Sequence, residues 1–201
     1  MNRKVIIIGA GGHGRAISDI VLLNGDKLVG FLDDNADVKQ NPLVIGKICD
    51  ADLYCKDDVE FFVAIGNNAF RQRIMSNLTE AKWYTAIHPS AIISPFAYIE
   101  EGSCIMPGAV IGHSVRIGRG CIVNTCSSVD HDAIVSDYVH ISSGVHIAGG
   151  VLIGANCRLA IGTVVDNALK ICENVDLTAG SVVTQNIVEG GKYAGVPAKK
   201  I

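Results

Sequence analysis

The stretch IGHSVRIGRGCIVNTCSSVDHDAIV, residues 111–135, places a branched aliphatic at every sixth position: Ile111, Ile117, Val123, Val129 and Val135. The register extends both ways without a slip, from Ile87 to Val183, and all seventeen positions hold Ile, Val or Leu. Four residues after each aliphatic runs a second column, from Ala91 to Ile187, of small or β-branched residues, with Leu169 and Ile187 its bulky exceptions. An amphipathic helix needs apolar residues at spacings of three and four, and an alternating strand needs a spacing of two. A period of six fits neither. It predicts a parallel β-helix whose short strands stack coil on coil and bury the aliphatic column. At three hexads per coil, the seventeen make between five and six coils.

The composition changes near residue 86, so the expected organisation is a domain over 1–86, the β-helix over 87–187 and a C-terminal tail over 188–201. In the first domain the apolar run Val5 to Ile8 ends in Gly9-Ala-Gly11-Gly12-His13-Gly14, and a helical pattern follows at Ala16, Ile17, Ile20, Val21 and Leu22. Strand, glycine turn, helix is the context that lets a backbone approach phosphate at a helix N-terminus. A second strand, Lys27 to Leu32, ends in Asp33 and Asp34, where a dinucleotide fold carries an acid for a ribose hydroxyl. A third, Phe61 to Ile65, opens into Gly66-Asn67-Asn68 and a helix over Ala69 to Leu78, and Trp83 to Ala86 reads as a short fourth strand. Three or four strands make a half-size Rossmann-like unit with room for one nucleotide moiety. The fold class is therefore a small α/β Rossmann-like domain followed by an all-β parallel β-helix.

Seventeen Lys plus Arg are spread against 20 Asp plus Glu, for a net charge of −3, so no basic patch points to nucleic acid or an anionic membrane. About half the residues are hydrophobic, yet no long apolar run lacks charges or glycines, so no membrane span is expected. The N-terminus lacks the apolar core of a signal peptide, and the expected location is cytoplasmic. The seven cysteines form no CxxC pairs. Cys121 and Cys157 share the small column but stand two coils apart, roughly 9 to 10 Å at about 4.8 Å per layer, beyond disulfide reach.

Position in the hexad sorts the histidines of the repeat. His113 and His131 lie two after the aliphatic column and 18 residues apart, so they should stack on adjacent coils along one outer edge; His140 and His146 immediately precede the column. His131 stands between Asp130 and Asp132. Carboxylates beside an imidazole favour its protonated form and fix its tautomer, which makes a general base near neutral pH.

With GAGGHG (Gly9 to Gly14), FLDD (Phe31 to Asp34), AIGNN (Ala64 to Asn68), HPSA (His88 to Ala91), SSVDHD (Ser127 to Asp132), YVHIS (Tyr138 to Ser142) and AGVPAK (Ala194 to Lys199), nearly the whole chain resembles a known family. These are the left-handed β-helix acetyltransferases of the sialic acid O-acetyltransferase and UDP-N-acetylbacillosamine N-acetyltransferase type, which acetylate nucleotide-linked amino sugars in bacterial glycan pathways. The resemblance implies acetyl-CoA as co-substrate, His131 as catalytic base and Asp132 as the acid that raises its basicity. The family often has glutamate there. Coenzyme contacts fall by resemblance on His140, Gly149, Ile161, Ala179 and Gly180, with the Gly149 amide near the acetyl carbonyl. The nucleotide sugar falls on Gly11, Gly12 and His13, with Asp33 and Asp34 near the base and Gly66 near the sugar. No metal is implied, and the family resemblance implies homotrimers with each active site between two prisms.

Acetylation of a sugar amine, at C4 by resemblance, competes with O-acetylation of a sialic acid. Two other classes compete more weakly: a zinc-dependent, carbonic anhydrase-like β-helix, which leaves the first domain without a role, and NAD-dependent oxidoreduction, which needs the second mononucleotide half that this chain lacks.

Overall fold

A computed structural model describes residues 3–35, 43–55 and 58–201. They form two compact units, Met1–Pro89 and Ser90–Ile201.

In the first unit, strands β1 (Lys4–Ile8), β2 (Lys27–Leu32), β3 (Val44–Gly46), β4 (Glu60–Val63) and β5 (Lys82–Trp83) form one parallel sheet in the order β3-β2-β1-β4-β5. Helices α1 (Gly12–Leu23) and α2 (Asn68–Asn77) follow β1 and β4. Val5 to Ile8 and Phe61 to Val63 are completely or almost completely buried, as expected of parallel strands covered on both faces. Helix α1 turns Ile17, Ile20 and Val21 inward. Strand β3 is an addition to the sequence reading. It is a three-residue edge strand, too short for a periodic signal, registered on β2 through Phe31 and Leu32. At the amino ends of the strands the buried Asp26 accepts hydrogen bonds from Arg3 Nη2 (2.8 Å) and the Tyr84 hydroxyl (2.9 Å). The carboxyl ends of β1 and β4, where the chain order reverses across the sheet, are the place where such folds bind ligands.

The second unit is a three-faced prism of two-residue strands, each paired in parallel with the strand 18 residues on, as in Val110↔Ser128 and Ile111↔Val129. The first face stacks strands from Ile92–Ile93 to Val182–Val183, and the second from Tyr98–Ile99 to Lys170–Ile171. The third runs through Cys104–Ile105, Ile122–Val123, His140–Ile141, Arg158–Leu159 and Val175–Leu177. From Ile105 to Val183 every member of the aliphatic column is at most 2% exposed, each burial contributing about 1.5–3 kcal/mol. Hydroxyls in the small column are satisfied within it: Ser103 Oγ donates to Gly118 O (2.7 Å) and Thr163 Oγ1 to Ala160 O (2.7 Å).

A third column is hidden in the register. Three residues after each aliphatic, every position from Gly102 to Gly180 has a positive φ, and seven of these fourteen are not glycine, among them Asp132 at 60°. Each is the left-handed residue that turns the chain to the next face. Residues 188–201, expected as a tail, continue the third face. Gly191–Ala194 pairs in parallel with Val175–Leu177, and Lys199–Lys200 returns antiparallel to it. All seven cysteines are free. Among the described residues no helix is long and apolar enough to cross a membrane.

Candidate active site

Asp130, His131 and Asp132 turn the chain from the first face to the second. Gly112 lies one coil earlier on this edge, and a Cβ there would come within 2.8 Å of the His131 nitrogen. Asp130 Oδ1 accepts from the His131 backbone N–H at 2.7 Å, which fixes the turn. The left-handed Asp132 swings its carboxylate back, and His131 Nδ1 meets Asp132 Oδ2 at 2.8 Å. The shorter acid therefore reaches the ring. With Nδ1 held as the donor, Nε2 is the ring nitrogen left with a free lone pair, and both side chains are well exposed. The Asp132 hydrogen bond, and then the charge of Asp130, hold the imidazole above its ordinary value of 6.5.

Gly149 occupies the same position one coil later. A Cβ there would stand 2.6 Å from His131 Cε1 and 2.7 Å from Nε2, so glycine is what lets the imidazole lie against the backbone. The amides of His131 and Asn167, one coil either side of Gly149, are capped by Asp130 and Asp166 carboxylates at 2.7 and 2.8 Å. Ala148 precedes Gly149 and has no side-chain oxygen. The Gly149 N–H thus has no side-chain acceptor from its neighbour, and its backbone lies against the His131 ring.

The expected coenzyme residues form a second group elsewhere on the prism. His140 lies half-buried on the third face, paired with Ile122 and Arg158. Ile161 and Ala179-Gly180 turn the chain from the third face to the first, one coil apart, with Gly180 N donating to Ile161 O at 2.9 Å. Ile161 is exposed. Within one chain the structure therefore brings His131, Asp132 and Gly149 together but puts Ile161, Ala179 and Gly180 on another edge, with the first face between, and His140 on the third face.

In the first unit the four glycines of the turn divide into two kinds. Gly9 (φ +104°) and Gly14 are packing residues: a Cβ on Gly14 would stand 1.9 Å from Gly9 O, and one on Gly9 would stand 3.0 Å from Ala64 O. Gly11 and Gly12 open onto space, with nothing within 4 Å of a Cβ. Gly11 also caps α1 without a side-chain bond, so the first amides of the helix are presented to an anion. His13 stands edge-on to Phe62, ring centres 6.4 Å apart. Asp33 braces this loop, its Oδ2 accepting from Ala10 N (2.7 Å) and its Oδ1 from Asn35 N (2.8 Å), while Asp34 Oδ1 accepts from Ile48 N (3.0 Å). Gly66 lies in the loop after β4. The sequence reading missed the residue that shapes that loop: fully buried Arg71 donates to Ile65 O (2.9 Å) and Asn68 Oδ1 (3.0 Å). Nothing in the polar pattern of α2, which holds both Arg71 and Arg73, signals that Arg71 is the buried one.

Residues 4–78 match the PglD N-terminal domain, and residues 96–131 match the bacterial transferase hexapeptide (six repeats). The acetyltransferase domain of PglB from Neisseria gonorrhoeae FA1090, solved with acetyl coenzyme A, is 35% identical and superimposes with a TM-score of 0.94 over all of both chains. PerB from Caulobacter crescentus, solved with CoA and GDP-perosamine, is 31% identical with a TM-score of 0.91, covering 98% of this chain and 96% of that one. UDP-N-acetylbacillosamine N-acetyltransferase from Bacillus subtilis (strain 168) is 34% identical over 115 residues, 52% of this chain and 51% of that enzyme. The match spans about half or less of the curated relatives' length. The prism is a left-handed β-helix, and the chain belongs to the hexapeptide-repeat acetyltransferases of the sialic acid O-acetyltransferase / UDP-N-acetylbacillosamine N-acetyltransferase family.

Proposed function

We propose that this chain transfers an acetyl group from acetyl-CoA to the amino group, at C4, of a nucleotide-linked amino-deoxysugar. The observation that carries the reading is the placement of His131 between Asp132 and Gly149, a base oriented on one nitrogen and lying against an uncapped backbone amide. The neutral sugar amine attacks the thioester, and His131 Nε2 takes the proton that the nitrogen sheds as the C–N bond forms. The Gly149 N–H stabilises the resulting oxyanion. Collapse of the tetrahedral intermediate breaks the C–S bond, and the imidazolium returns its proton to the departing thiolate. Gly11, Gly12 and His13 at the N-terminus of α1 would hold the nucleotide's phosphates, with Asp33 and Asp34 toward the base and Gly66 toward the sugar. The likeness to PerB and to the bacillosamine enzyme supports the amine over a hydroxyl.

The separation of the two residue groups on the prism supports a homotrimer. One edge carries His131, Asp132 and Gly149 and another carries Ile161, Ala179 and Gly180, so a complete site forms when one prism's first edge meets the next prism's second. The intervening first face bears exposed Ile92, Val110 and Val164 around a polar middle, where Ser128 Oγ and His146 Nδ1 are hydrogen-bonded at 2.8 Å, a mixed surface that such a contact would cover.

A thermal-shift panel of UDP-, GDP- and dTDP-linked 4-amino sugars, each with and without CoA, tests the reading. One nucleotide sugar and CoA should each raise the melting temperature, by about 5 °C at a hundredfold excess over Kd. A shift with NAD and none with any nucleotide sugar would restore the oxidoreductase alternative.

A further inference from the structure

Toward the first coil from His131, the same edge carries a group of aromatic side chains that the mechanism above does not use. Asp132 N donates to His113 O at 2.9 Å, which puts His113 directly one coil before His131. The Phe96 ring stacks on the His113 ring, centroids 4.5 Å apart and planes 32° from parallel. His113 Nδ1 is held by Ser114 Oγ at 2.7 Å. Phe96 and Tyr98 are 67% and 62% exposed. With Ser114 and Arg116 they line a cavity of about 370 Å³ on the outside of the prism. Large rings left this exposed cover little core, and their faces are available to a ligand.

The His131 ring leans the other way, against Gly149. The edge is therefore polar along its length, with the amide on the C-terminal side of the base and the aromatic group on the N-terminal side. We propose that Phe96, Tyr98 and His113 form a shelf for the sugar ring of the acceptor, with the Arg116 guanidinium beside it as a hydrogen-bond donor to a sugar hydroxyl. This rests on the reading of the acceptor as a nucleotide-linked amino sugar. The C–H faces of a deoxysugar match aromatic faces, and guanidinium N–H groups donate to ring hydroxyls. The acceptor then meets the base from the first-coil side, and the acetyl donor meets it from the Gly149 side.

Titration calorimetry on the full chain tests this with GDP-perosamine and a UDP-linked 4-amino-4,6-dideoxy sugar, against GDP, UDP and CoA. The wild type should bind one amino-sugar nucleotide about tenfold more tightly than the matching nucleotide alone. Phe96→Ala and Tyr98→Ala should erase that preference while leaving the affinities for nucleotide and CoA unchanged, and Phe96→Trp should retain it. Exposure at both positions makes an unchanged melting temperature the expected control. An undiminished sugar preference in Phe96→Ala and Tyr98→Ala overturns the shelf. So does an altered oligomeric state with unaltered affinity, which would make these rings a contact between copies of the chain. If the preference depends on Phe96 but no acetyl group is transferred, the shelf stands and the acetyltransferase reading falls. If acetyl transfer occurs and Phe96→Ala leaves the acceptor KM unchanged, the reverse holds.

Discussion

His131→Ala should lower kcat about a thousandfold, the middle of the range for a positioned general base, while the Kd for acetyl-CoA stays at its wild-type value. The imidazole is exposed and packs on no core residue, so its removal leaves the prism intact; what is lost is the acceptor for the amine proton. The pH profile carries the same signature. Only the neutral ring works as a base, so kcat/KM falls as pH drops through the His131 pKa. The Asp132 hydrogen bond and the Asp130 charge hold that pKa above 6.5, so the fall begins closer to neutrality than for an isolated imidazole. Asp132→Asn should move it to lower pH. Steady-state rates between pH 5 and 9, with coenzyme binding measured separately, check both parts. Turnover near the wild-type level in His131→Ala would remove this residue from the mechanism.

Gly149→Ala should lower kcat about a hundredfold with little change in stability, since displacing a reacting group by about 1 Å has that effect. The backbone at Gly149 is not in the left-handed region that only glycine adopts freely, so alanine introduces no strain of its own. The added methyl would stand 2.6 Å from His131 Cε1, and the exposed ring swings away from Asp132 to relieve it. Because the injury passes through His131, the double variant Gly149→Ala/His131→Ala should be no slower than His131→Ala alone, a full failure of additivity. Independent losses that multiply would show that Gly149 acts without the histidine.

The aliphatic and small columns were legible because burial selects side-chain type at a fixed period; every aliphatic position from Ile105 to Val183 obeys it, and in the small column over the same span only Leu169 departs. The left-handed column was not, because four of its members, Ser114, Cys126, Tyr138 and Ala168, are residue types that seldom adopt positive φ. There the stacked coil overrides local preference. In the glycine turn the residue types were clear but their division was not: only the backbone contacts separate Gly9 and Gly14, which pack, from Gly11 and Gly12, which face space. Asp33 looked like a ribose ligand, and its two hydrogen bonds to backbone amides give it a bracing role as well. The separation of His140 from His131 lay within reach of hexad counting, since one precedes the aliphatic column and the other follows it by two.

On the proposed function, a nucleotide-linked amine is the group acetylated. The most direct measurement follows CoA thiol release by the wild-type protein with a nucleotide-linked 4-amino sugar and, in parallel, with its 4-hydroxyl analogue, the products being identified by mass spectrometry. The account predicts stoichiometric amide formation with the amine and no product above background with the hydroxyl. Equal or faster acetylation of the hydroxyl, or no transfer to an amine that calorimetry shows to be bound together with CoA, would contradict it.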